Sequence, residues 1–138
     1  MIRRETTLQC SLLVLSQEAG DAQVDEAAME WGRKAFDAYA KSLDAAGVLI
    51  SADILQPVAV ATTISVRDGD LKVQDGPFAG ALERLNGTFV LAMPDLDAAI
   101  GWARQCPAAL YGAVEIRPSA VIFRDGQWQT PGSETAQA

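Results

Sequence analysis

A chain of 138 residues with 49% apolar and 21% charged residues has the size and balance of one folded domain, not of a disordered segment. Its formal net charge of −7, with 11 basic residues scattered among 18 acids, argues against nucleic acid or an anionic membrane as a partner. The complete absence of histidine removes the commonest general base near neutral pH and the commonest metal ligand, so neither a metal nor another cofactor is expected.

Arg3-Arg4 precede an apolar run at Leu12–Leu15, but Glu5, Gln9 and Ser11 interrupt it and Ser16-Gln17-Glu18 follow. A secretory leader needs a longer unbroken apolar core, and no stretch approaches membrane-spanning length. The expectation is a cytoplasmic protein. Thr6 to Leu15 reads as a strand, with Leu8, Cys10, Leu12 and Val14 on one face and Ser11, Leu13 and Leu15 on the other. Its second half is apolar on both faces, as in a strand covered on both sides.

From Val24 to Ala46 the spacing predicts a long helix whose stripe is Ala28, Trp31, Ala35, Phe36, Tyr39 and Leu43. Trp31 and Tyr39 read as core at that spacing. Glu30 and Lys34 fall at favourable i,i+4 spacing on the solvent side, and Gly47 is the natural residue to close the helix. Val48 to Gln56 is a second strand, stopped by Pro57. Ala61–Arg67 and Asp70–Gln74 then form a hairpin across Asp68-Gly69, a pair suited to the φ > 0 positions of a type I′ turn. That turn sets Val66 opposite Leu71, Ile64 opposite Val73 and Arg67 opposite Asp70.

Asp75-Gly76-Pro77-Phe78 ends this hairpin, since Gly tolerates φ > 0 and Pro fixes φ and lacks a backbone donor. Phe78 sets a large ring at a turn, and the expectation is a buried anchor tying the hairpin to the body. Ala79 to Leu85 suits one or two helical turns, stopped by Asn86-Gly87. Thr88 to Met93 is a further strand. Asp95 is placed to cap a second helix, whose inner face would be Leu96, Ala99, Ile100, Ala103 and Cys106 before Pro107 ends it. Ala113 to Arg117 is the last core strand. Beyond it, Asp125-Gly126 would fold Phe123 against Trp128 in a small hairpin, and the chain from Thr130 is expected to fray.

The order is β-α-β, hairpin, β-α-β, the split arrangement of an α+β ferredoxin-like sandwich with an inserted β-hairpin. Residues 1–118 would form this domain and 119–138 a C-terminal extension. Two helices cover one face of such a sheet, and a homodimer packed sheet against sheet is the economical way to cover the other. Cys10 and Cys106 read as packed thiols, too few for a zinc site and too far apart in sequence for a disulfide framework.

Taken together, Ala46-Gly-Val-Leu, Leu55-Gln-Pro57, Ala61–Arg67, Asp75-Gly-Pro-Phe78, Pro94–Ala103, Cys106-Pro107 and Val114–Pro118 resemble the YCII-related proteins, in particular the subgroup named for its Asp-Gly-Pro-Phe motif. The likeness runs over roughly residues 6 to 118. It implies a dimeric α+β barrel of ferredoxin-like subunits and an accessory role beside extracytoplasmic-function sigma factors. Members of the subgroup usually continue past the motif with Glu, Thr, Lys and Glu, whereas here Gly80, Ala81, Leu82 and Glu83 follow, and only the last is polar. The His-Asp pair proposed as an active site elsewhere in the family has no histidine to supply it here.

The candidate site residues are Asp53, Asp75, Phe78, Glu83 and Tyr111, around a pocket between sheet and hairpin. Asp75 and Glu83 are the candidate catalytic groups, because a partly buried carboxylate can act as a general base. Against this, Asp75 suits a turn residue bonding its own backbone, and Glu83 a solvated helix acid. Tyr111 and Arg117 suit either a ligand or a dimer rim. Two functions remain open: a non-catalytic small-molecule-binding or regulatory dimer, or a metal-independent lyase- or isomerase-type enzyme using one carboxylate. The lost polar positions after the motif and the missing histidine favour the first.

Overall fold

The computed structural model describes residues 8–17, 26–80 and 82–132. Strands β1 (Leu8–Gln17), β2 (Leu49–Ile54), β5 (Glu83–Met93) and β6 (Ala113–Pro118) form an antiparallel sheet in the order β2-β5-β1-β6. Helices α1 (Glu26–Ala45) and α2 (Leu96–Ala103) provide the crossovers, giving a ferredoxin-like α+β fold. Strands β3 (Thr62–Arg67) and β4 (Asp70–Asp75) make a separate two-stranded hairpin between β2 and β5, and β7 (Ile122–Arg124) and β8 (Gln127–Gln129) another near the C-terminus. The Thr6 start expected for the first strand lies outside the described residues, as do the Val24 start of the first helix and the tail beyond 132.

The core is built by strict alternation. Cys10, Leu12 and Val14 of β1 and Phe89, Leu91 and Met93 of β5 point to the helix side, in the register Leu12↔Phe89 and Cys10↔Leu91. Against them pack Tyr39 and Leu43 of α1 and Ala99 and Ala103 of α2. The Tyr39 hydroxyl donates to the Trp102 carbonyl at 2.7 Å, joining the two helices through an otherwise apolar layer. Cys10 and Cys106 are buried free thiols, and burial pushes both above the ordinary thiol range.

Local signals set the element ends. Gly47, at φ 76°, closes α1 in a Schellman motif, with Gly47 N–H bonding the Asp44 carbonyl at 3.0 Å and Val48 N–H the Leu43 carbonyl at 3.2 Å. Asp95 caps α2 by accepting from Ala98 N–H at 2.9 Å. Asp68-Gly69 and Asp125-Gly126 both take φ > 0 at the two turn positions, and each hairpin has the expected register, including Phe123 opposite Trp128.

Four expectations need correction. Ala79, Gly80 and Leu82 are not helical, and β5 begins at Glu83 instead of Thr88. The reason is tertiary: β1 runs on to Ser16 and Gln17, and pairing Gln17↔Glu83 and Ser16↔Arg84 satisfies backbone groups that a short helix would leave open. Asn86 is the extra residue of a bulge, its side-chain amide donating to the buried Ser16 hydroxyl, and Gly87 sits mid-strand between β1 and β2. A Cβ on Gly87 would stand 2.8 Å from the Asp53 carbonyl oxygen, so only glycine fits there.

Trp31 is not core. It is 51% exposed, because only the later half of α1, from Phe36 onward, overlies the sheet, and its ring meets Tyr111 edge-on at 6.4 Å. Leu96 and Ile100 are similarly half-exposed beside the buried Ala99 and Ala103. Phe78 is the largest departure: it is 72% exposed and is not a buried anchor among the described residues. The turn before it is held instead by polar bonds, Thr63 Oγ1 to the Gly76 carbonyl at 2.7 Å and Gln74 Nε2 to the Pro77 carbonyl at 3.2 Å.

Candidate functional site

Because α1 turns mainly its Phe36–Leu43 segment to the sheet and β2 is an edge strand, a gap is left between them. It forms a cleft of about 460 Å³ lined by Gly32, Phe36, Ala40, Ala52, Ile54 and Phe89, with Arg33, Asp37 and Asp53 contributing at its border. That volume lies within the usual range for small-molecule sites. The floor is aromatic: Phe36 and Phe89 stack with centroids 6.2 Å apart and planes 14° from parallel, and Tyr39 meets Phe89 edge-on at 5.2 Å. Gly32 and the small side chains of Ala40 and Ala52 leave room above those rings. Burial raises the Tyr39 phenol above its usual range, with smaller contributions from the neighbouring Cys106 and Cys10.

The charged groups at the border are already engaged. Arg33 pairs with Glu30 at 2.6 Å and Asp37 with Lys41 at 2.9 Å. Asp53 Oδ1 accepts from Thr88 Oγ1 at 3.0 Å. Thr88 and Phe89 are consecutive in β5 and so project to opposite faces. The Asp53 carboxylate therefore stands on the face away from Phe89 and the helices, beside the open side of the sheet.

The candidate residues named from the sequence are not brought together. Asp53 alone touches the cleft. Glu83 opens β5 opposite Gln17, five residues or roughly 17 Å of strand from Thr88, and is a strand-end acid, not a helical one. Asp75 is exposed at the end of β4, opposite Thr62, and Phe78 is exposed just beyond it. Tyr111 follows the short 3-10 turn Pro107–Leu110 and lies against Trp31. Burial raises its phenol above the ordinary range. Among the described residues no three His, Cys, Asp or Glu side chains stand close enough to share a metal ion. The cleft residues Gly32, Ala40, Ala52 and Phe89 were not legible as a site. Gly32 inside a helix was the available signal, since an interior glycine weakens a helix unless space is needed beside it.

Residues 12–121, from the middle of β1 to just before β7, match the YCII-related domain. The chain belongs to the YCII-related family. A YCII-related match ending at residue 121 leaves β7 and β8 outside the shared part. The chain is also similar to an uncharacterized protein of Rhizobium meliloti (strain 1021), 35% identical over 75 residues, which is 53% of this chain and 60% of that relative's length. This YCII-related protein has no histidine, and its two thiols are sealed in the core. Among the described residues no helix is long and apolar enough to cross a membrane.

Proposed function

We propose that this protein is a non-catalytic, small-molecule-binding homodimer of the Asp-Gly-Pro-Phe subgroup of the YCII-related family. The observation that carries the binding role is the α1–β2 cleft: a stacked aromatic floor, small-residue walls and a border whose charges already have partners. Such a site suits a flat, largely apolar ligand recognised by shape and stacking. It holds no thiol, and of its two bordering acids Asp37 pairs with Lys41 while Asp53 is bonded to Thr88 on the other face of the sheet. The homodimer reading rests on the open sheet face, where Leu13, Leu15 and Val90 have no helix above them among the described residues. A place in the cytoplasm and an accessory role beside a sigma factor are what the subgroup likeness adds.

The test uses indole and naphthalene as probes, followed by chemical-shift changes in the labelled full chain. Shifts centred on Phe36, Ala52 and Phe89, lost in Ala52→Leu, support the cleft as the site. Shifts scattered elsewhere, or unchanged in Ala52→Leu, sink it. The enzymatic alternative needs a pocket carboxylate as general acid or base, and of Asp53, Asp75 and Glu83 only Asp53 borders the cleft. Turnover of a bound compound that Asp53→Asn abolishes would establish a lyase- or isomerase-type reaction in place of simple binding.

A further inference from the structure

Hairpin β3–β4 is inside out. Alternation sets Ile64 and Val66 on one face with their cross-strand partners Val73 and Leu71, and these four are 56–66% exposed. On the other face, Thr63, Ser65 and Gln74 are the more buried positions. A chain alone in water favours the reverse, and a contiguous aliphatic patch on a strand pair marks an interaction surface. The two strands contact chiefly each other, and an isolated two-stranded hairpin is marginal without a further layer.

We propose that this hairpin is an arm that lays its Ile64, Val66, Leu71 and Val73 face on a second copy of the chain. The inference rests on the homodimer proposed above and adds the element that closes it. Three observations select a second copy as the occupant. Burying one such side chain removes on the order of 100 Å² of apolar surface; two reciprocal arms with the surfaces they cover would remove roughly 1,600 Å², the size of a standard stable interface. Every copy offers both halves of the contact, the arm and the half-buried Leu13, Leu15 and Val90 stripe on the face that no described helix covers, as a two-fold interface requires. The reach also fits: six residues of strand extend about 20 Å, comparable to the width of a four-stranded sheet.

Sedimentation equilibrium of the full chain at micromolar concentration tests the arm, with far-UV circular dichroism reporting the fold. Val66→Lys is expected to weaken dimerisation at least 100-fold. The double variant Ile64→Thr, Val73→Thr keeps strand-forming residues and is expected to weaken it at least tenfold; it decides the matter should Val66→Lys lose the native spectrum. Hydrogen exchange at amides 62–75 should slow with rising wild-type concentration, and not in the variants. A dimer whose dissociation constant stays within threefold of wild type in the double variant overturns the arm and leaves the homodimer standing. A wild-type chain that is monomeric under these conditions overturns both.

Discussion

The four-stranded body and the inserted hairpin share one sequence pattern and meet opposite fates. In β1 and β5, alternating apolar residues such as Leu12, Leu91 and Met93 are sealed beneath two helices. In β3 and β4, an equally regular alternation leaves Ile64, Val66, Leu71 and Val73 in solvent, with the polar face turned inward. Period-2 patterning therefore identifies a strand pair and its register, but says nothing of what lies against its apolar face. Cover comes from another element, and among the described residues none lies over the hairpin's apolar face.

The contrast can be broken most directly at Phe89, which joins core and cleft. Phe89→Ala is expected to cost about 3–5 kcal/mol in chemical denaturation, because a buried ring is lost beneath Tyr39 and Phe36. A loss below about 1 kcal/mol, the scale of surface substitutions, would show that the body is no better packed than the hairpin. Gly87→Ala probes the seam between β5 and β2. The new methyl would press on the Asp53 carbonyl and Ile54, and a cost of about 1–3 kcal/mol is expected, with larger amide shifts in β2 than in β6.

The sealed thiols add a pH signature confined to the body. Cys10 and Cys106 ionise at higher pH in the folded chain than when unfolded, so the folded state holds protons that the unfolded state releases. Their contribution is intact below the ordinary thiol range and falls as pH rises past about 8.5 towards the raised folded values. Melting temperature should decline over that alkaline interval, and the decline should lessen in the double variant Cys10→Ala, Cys106→Ala. An equal decline in wild type and variant would assign the effect elsewhere.

Two smaller effects complete the comparison. Asp95→Ala removes the α2 cap and should cost about 1 kcal/mol, read as a shifted denaturation midpoint. Phe78→Ala should change the stability of the monomeric chain by less than about 0.5 kcal/mol, since the ring is exposed. A loss near that of Phe89→Ala would mean that Phe78 is covered in the assembled protein, and would move it from the hairpin's side of the comparison to the body's.

The candidate site was the least legible part of the sequence. Asp53, Asp75 and Glu83 are chemically suited to a pocket, yet the strand register holds Asp53 and Glu83 well apart along β5, and Asp75 belongs to the separate hairpin. The cleft is lined by side chains whose types signal only packing, and it exists because a 20-residue helix overlies the sheet with only part of its length. No local pattern encodes the overhang of a helix.

What the amino-acid sequence determined by itself was everything governed by neighbours a few residues apart. Asp-Gly pairs set both hairpins and their registers, Gly47 and Asp95 set helix ends, and alternation in β1 and β5 chose the buried face. Only the tertiary structure decided the fate of residues 83–87, because β1 needed a partner along its full length and local helical preference is weaker than a row of backbone hydrogen bonds. It alone decided that Trp31 and Phe78 stay in solvent and that Phe89 serves both core and cleft. Burial depends on what arrives from elsewhere in the chain, and that distance is beyond the reach of any local pattern.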